Sequence, residues 1–170
     1  PLNSVRKQVL RDIDLLIIDE VSMLRADVLD AIDERLKAAR RNRNRPFGGV
    51  QLLLIGDMFQ LPPIVRDHEW TVLRKHYKSM HFFSSQAIAK EGYTYLELAK
   101  VYRQSDDAFI SILNNLRNNE CTQADIDELN SHYRADADNL SNTITLTTHN
   151  NQADGLNSKA LEEIGEKAYT

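Results

Sequence analysis

Two short stretches of unbroken apolar residues punctuate an otherwise mixed chain. Leu15-Leu16-Ile17-Ile18 runs straight into Asp19-Glu20, and Val50 to Ile55 runs into Gly56-Asp57. A run that is apolar at every position suits a strand covered on both faces by helices. Between the two, Val28, Leu29, Ile32 and Leu36 recur at helical spacing, and Asp27 is placed to cap the helix. Arg45-Pro46-Phe47-Gly48-Gly49 breaks that helix before the second strand. Residues 3 to 11 predict a further short helix, and Leu61-Pro62-Pro63 ends regular structure after the second strand.

Further along, His81-Phe82-Phe83 predicts a short strand, followed by a helix from about Ser84. Tyr93 to Val101 alternates well enough to predict a third strand, ending in Tyr102-Arg103-Gln104. Residues 106 to 118 and 122 to 133 read as helices, the first with Phe109, Ile112, Leu113 and Leu116 on one face. Residues 134 to 142 are polar and read as a linker; Thr143 to Leu146 starts a new strand, and 151 to 164 a helix. Buried strands alternating with amphipathic helices predict an α/β fold with a mainly parallel sheet. Ligands of such sheets sit at the carboxyl ends of the strands. Polar residues gather at those ends here: Asp19-Glu20, Gly56-Asp57 with Gln60, and Arg103-Gln104.

Composition narrows the class. The chain has 170 residues, 42% hydrophobic and 27% charged, enough for a domain with a real core. No apolar run approaches bilayer length, and the first ten residues do not resemble a secretory signal. The single cysteine, Cys121, cannot form an internal disulfide, and no CxxC pair suggests zinc. These features predict an intracellular protein with no membrane partner. A net charge of −4 argues against a protein that simply coats nucleic acid. The charge is uneven, however. Asp19 to Glu34 is mostly acidic, whereas residues 35 to 45 carry only positive charges. The plain expectation is a solvated helix face running into a charged loop; a patch for phosphate is the alternative.

The strand tips carry the chemistry. An aspartate at the end of an apolar strand, as Asp19 is, helps hold magnesium through its shell of waters. The next glutamate, Glu20, can polarise a water for in-line attack on a terminal phosphate. Taken alone, Asp-Glu equally often just begins a turn. The second tip changes the balance. Gly56 allows a sharp exit, Asp57 could support the metal from behind its ligands, and Gln60 can donate to a phosphate oxygen. Phe47 and Phe59 are expected to be packing residues. His68, His76, His81 and His132 show no ligand spacing.

IIDEVSM, a basic helix, FGG, GDMFQLPP and VYRQ, in that order across roughly residues 12 to 118, resemble the Pif-type helicases, the RecD-like branch of superfamily 1. TLTTHNNQADGLN resembles the opening of that family's second motor domain. The resemblance implies a partial RecA-like P-loop NTPase domain over 1–138, and a linker with the first β-α unit of a second RecA-like domain over 139–170. It implies ATP and Mg2+ as cofactors, with single-stranded DNA and a forked duplex as partners. It assigns Asp19 to magnesium, Glu20 to the catalytic base, Gln60 to the γ-phosphate and Arg103 to transition-state charge. Thr147, Thr148, His149 and Asn150 would touch the DNA backbone, although Asn150 is also a natural helix cap.

A phosphate loop of the form G-x-x-x-x-G-K-[ST] is absent from these residues, and 18 residues before Asp19 leave no room for one. The expectation is that the loop precedes Pro1 in a longer protein and that these 170 residues alone hydrolyse ATP poorly. In motors of this class the loop's strand lies beside the strand at 50 to 55, so an apolar edge should be exposed and invite self-association. The competing readings are a RecD-like subunit of a recombination nuclease and a non-catalytic DNA-binding scaffold.

Overall fold

Two parallel strands and the helix that joins them organise the first half of the chain. The computed structural model describes residues 4–134 and 144–164. Helix α1 (Ser4–Asp12) leads into strand β1 (Leu15–Ile18), and α2 (Ala26–Arg40) crosses to β2 (Gln51–Leu54). The strands pair in parallel, with Leu15 opposite Gln51 and Ile18 opposite Leu54. Helix α3 (Asp67–Leu73) and the short α4 (Gln86–Glu91) follow; α5 (Asp107–Arg117), α6 (Gln123–Ser131) and α7 (Asn150–Ile164) complete the described elements. Contacts divide the chain into Pro1–Asp107 and Ala108–Thr170.

In the first unit, the apolar stripe of α2 builds the core. Leu29 and Leu36 are fully buried, packed with Val21, Phe47, Val50, Phe82, Ala87 and Ile88. Truncating a leucine so placed costs about 2–5 kcal/mol, the lost transfer energy plus the cavity. Val28, predicted on the same stripe, is instead exposed. Arg25 rather than Asp27 is the residue before the first turn of α2. Asp27 lies inside that turn, and its carboxylate takes two bonds from the Arg25 guanidinium at 2.9 Å.

Four strand expectations are corrected. The sheet is covered on one face only: Leu16, Ile18, Leu52 and Leu54 pack on the core, while Leu15, Ile17 and Leu53 are exposed. The alternation is real, and the opposite face is apolar without being covered by the described residues. Tyr93 to Val101 forms no strand, and Leu98 is 93% exposed. A strand exists only through a neighbour's hydrogen bonds, and β1 and β2 pair only with each other among the described residues. For the same reason Ile144 to Leu146 forms no strand; Thr143 lies outside the described residues, as does most of the predicted 134–142 linker. His81 makes a single antiparallel bridge to Arg25, and Phe82–Ser84 is a 3₁₀ turn rather than a strand. Ser85 then caps α4, its hydroxyl accepting from the Ile88 amide at 3.3 Å.

In the second unit, Ile112 of α5 is buried, whereas Leu113 and Leu116 are exposed. Thr122 and Asp125 cap α6 reciprocally. The backbone amide and hydroxyl of Thr122 hold the Asp125 carboxyl below its usual range, helped by Asn115. Cys121 is a half-buried free thiol. Among the described residues no helix is long and apolar enough to cross a membrane.

Candidate active site

The carboxyl ends of β1 and β2 are locked together beyond their last ladder pair. Ile55 donates its amide to Ile18 at 2.9 Å, and Val21 returns one to Ile55 at 2.9 Å. Glu20 lies between these bonds with φ 51° and ψ 43°, in the left-handed region. That conformation costs an L-residue roughly 1–2 kcal/mol and is found where surrounding structure over-determines it, often at functional sites. The Asp19 carboxylate accepts from the Glu20 amide at 2.8 Å, which fixes the bend. Both side chains are exposed.

Gly56 acts differently from the expectation. Its backbone needs no positive φ; instead a β-carbon there would lie 2.9 Å from the Val21 amide nitrogen and 3.0 Å from Val21 Cγ1. Glycine is required by close approach, and it brings the second tip against the first. Asp57 then closes the next turn. Its Oδ1 accepts from the Phe59 amide at 3.0 Å, and its Oδ2 accepts from Gln60 Nε2 at 3.3 Å. The Gln60 amide bonds to the Asp57 carbonyl at 3.0 Å. Phe59, expected to be a packing residue, is 70% exposed, because this turn projects it outward. Phe47 is buried as expected.

The structure thus joins Asp19 to Glu20 and Asp57 to Gln60, and sets the two pairs on adjacent strand ends. Arg103 is exposed, and no hydrogen bond or ion pair among the described residues ties it to either pair. Thr147 to Asn150 belong to the second unit. Thr147 Oγ1 donates to the His149 carbonyl at 3.0 Å, the Thr148 hydroxyl contacts His149 Nδ1 at 2.9 Å, and Asn150 is the first residue of α7.

Two features escaped the sequence reading. Arg25 reaches Glu69 at 3.0 Å, tying the start of α2 to α3 across 44 residues of sequence. The Arg66 amide first, and Arg25 second, hold the Glu69 carboxyl below its usual range. Bonds to Asp27 and then Glu69 raise the already high pKa of Arg25. Nothing in local periodicity announces a pair so distant. The other is Ser22, whose hydroxyl is buried without a hydrogen-bond partner among the described residues, beside the Glu20 bend.

As to magnesium, no group of three or more His, Cys, Asp or Glu side chains gathers among the described residues. Mg2+ is held by one or two carboxylates plus phosphate and water rather than by an all-protein cage, and the exposed oxygens of Asp19 fit that role.

Parallel strands joined by a helix, with polar tips side by side at their carboxyl ends, make this part of a RecA-like α/β motor domain. The chain belongs to the PIF1-like helicase family, whose model matches residues 2–127. It is 32% identical over 156 residues to the ATP-dependent DNA helicase PIF1 of Homo sapiens, covering 91% of this chain and 23% of that protein. It is 36% identical over 172 residues to the Pif1 helicase of a Psychrobacter strain, covering 94% of this chain and 25% of that one. Among solved structures, a Bacteroides Pif1 helicase in complex with ADP-AlF3 and single-stranded DNA matches with a TM-score of 0.86 at 32% identity, over 100% of this chain and 39% of that one. The chain therefore spans about a quarter of the length of these curated relatives.

Proposed function

We propose that this chain is the hydrolysis and coupling portion of an ATP-dependent DNA helicase that translocates on single-stranded DNA and opens forked duplexes. The observation that carries the reading is the contact of Gly56 with Val21, which sets Asp57 and Gln60 beside Asp19 and Glu20. In this reading residues 1–138 form part of the first motor domain, and 139–170 begin the second. The protein works inside the cell.

The chemistry follows from the donors. Asp19 would hold Mg2+, with Asp57 behind it, and bound Mg2+ would neutralise phosphate charge. Glu20, on a backbone fixed by its own bend, accepts a proton from the attacking water. Gln60 trades its bond with Asp57 for one to the terminal phosphate oxygen, so the turn at 57–60 changes with the state of the nucleotide. Arg103, exposed and unpaired among the described residues, is available to stabilise charge on the transferring group. Thr147, Thr148, His149 and Asn150 supply hydroxyl, imidazole and amide donors to the DNA backbone.

The test is Glu20→Gln in the full-length protein. DNA-stimulated ATP hydrolysis should fall by about 100-fold or more, with unwinding lost and single-strand binding kept. Unwinding at the wild-type rate would sink the reading.

A further inference from the structure

We propose that the arginine-rich loop at the amino ends of β1 and β2 is a second nucleic-acid contact, one that grips the phosphate backbone of duplex DNA. The inference takes DNA as ligand from the motor reading, but it concerns the opposite end of the sheet from Asp19 and Gln60. Gln51, which opens β2, bonds to the Asp14 carbonyl at 3.0 Å, and the loop joins the end of α2 to this edge.

The charges of this region divide into two sets. Three of the four acidic residues of α2 are consumed internally, while Glu34 stays exposed. Asp27 holds Arg25; Asp30 takes the Tyr77 hydroxyl and the amides of Gln86 and Ala87; Asp33 takes the Phe47 amide and Lys37. Two of the basic residues are likewise structural. Lys37 faces Asp33 and Glu34, and Arg40 donates to the carbonyls of Gly48, Arg11 and Ile13. Arg35, Arg41, Arg43 and Arg45 are left exposed, with no hydrogen bond or ion pair from their side chains among the described residues. The nearest acidic residues on the adjoining strand entry are Asp12, which accepts from Gln8, and the exposed Asp14. Asp14 and Glu34 are exposed too, and Glu34 and Glu91 line a cleft with Arg43 and Arg45, but the four unpaired arginines leave the positive sign in excess on the loop.

The loop that displays them is braced rather than slack. Arg41 caps α2 in the left-handed conformation, φ 55°, where glycine is the ordinary choice. Asn42 Nδ2 and Arg40 both donate to the Gly48 carbonyl, the Gly48 amide bonds to the Arg45 carbonyl, and Asp33 anchors Phe47. Arg11, Arg40, Arg41 and Asn42 line a shallow cleft of about 430 Å³ between α1 and the loop. Guanidinium groups on a preorganised frame lose less entropy on meeting phosphate than groups on a free loop.

The chemistry favours a duplex over a single strand. Single-strand sites add aromatic platforms on which bases stack. The one aromatic residue of this loop, Phe47, is buried in the core. What remains is charge and amide donors, which suit a helix whose bases are turned inward.

The test is fluorescence anisotropy on the 170-residue chain, without nucleotide, using a labelled blunt 20-base-pair duplex and a 20-nucleotide single strand across a salt series. Replacing Arg41, Arg43 and Arg45 together by Glu should weaken duplex binding at least tenfold. The salt dependence should fall by about three units of slope, near 0.9 per lost phosphate contact. The Lys triple variant, which keeps the charge, should stay within threefold of wild type, which separates lost charge from lost fold. Unchanged duplex binding and slope in the Glu variant would overturn the proposal. So would a loss confined to the single strand, or a Lys variant as weak as the Glu one. None of these readouts depends on Glu20, so failure here is distinct from failure of the motor reading.

Discussion

Gly56 and Val21 touch where two parallel strands end, at a distance that leaves no room for a β-carbon. The crowding atoms are mainly backbone, the Val21 and Ser22 amide nitrogens, and cannot rotate away. Gly56→Ala should therefore push the strand tips apart. The expected cost is about 1–3 kcal/mol of stability, read as a lower urea midpoint. In the full-length protein, ATP hydrolysis should fall further than this loss explains, because Asp57 and Gln60 move with the glycine. A fully stable, fully active Ala variant would contradict the geometry.

Asp33 supports the other end of the same crossover. It is 4% exposed, and its carboxylate serves the Phe47 amide and Lys37. Asp33→Ala would strand a buried amide and should cost about 2–4 kcal/mol. Asp33→Asn keeps one acceptor and should cost about half as much. Thermal denaturation of the two variants checks the order; equal losses would mean that the bond to Phe47 contributes little.

Tyr77 gives the first unit an alkaline limit. Burial first, and its bond to Asp30 second, push its phenol up to about 12 from 10.0. Lys37 is raised from 10.5, chiefly by its bond to Asp33. Both groups keep protons in the folded chain that the unfolded chain releases. Their stabilisation is complete below about pH 10 and is lost as pH rises through the folded values. Urea midpoints should decline between pH 10 and 12. Tyr77→Phe should cost about 1 kcal/mol at neutral pH and flatten part of that decline. A slope unchanged by the substitution would rule Tyr77 out as the cause.

Self-association is the fourth expectation. Leu15, Ile17 and Leu53 form an uncovered apolar face, and Tyr93 to Val101 lies exposed and unpaired as a strand. We expect concentration-dependent dimers or larger species of the 170-residue chain in sedimentation velocity. Replacing Ile17 and Leu53 together by Thr should reduce them. A monomer at all concentrations would refute this.

What could be read from the sequence follows the range of the forces involved. β1, α2 and β2 were legible because their patterns are local: two apolar runs and one helical stripe. The tips at Asp19-Glu20 and Asp57 with Gln60 were legible because a strand's end fixes where its next residues go. Tyr93 to Val101 was misread because alternation states which side chains could face a core, not whether a neighbouring strand is present. The covered and open faces of β1 and β2 were indistinguishable, both being apolar. The left-handed backbone of Glu20 and the Arg25–Glu69 pair depend on contacts remote in sequence.

The layout of the crossover has an electrical corollary. The exposed carboxylates of Asp19 and Glu20 stand at one end of the paired strands and an excess of exposed guanidinium groups at the other, so the crossover carries a charge asymmetry along its sheet. In the field of a polyanion such a body turns before it lands. The hydrolytic end is directed outward, and encounters should arrive oriented rather than at random, an advantage that fades as ionic strength rises.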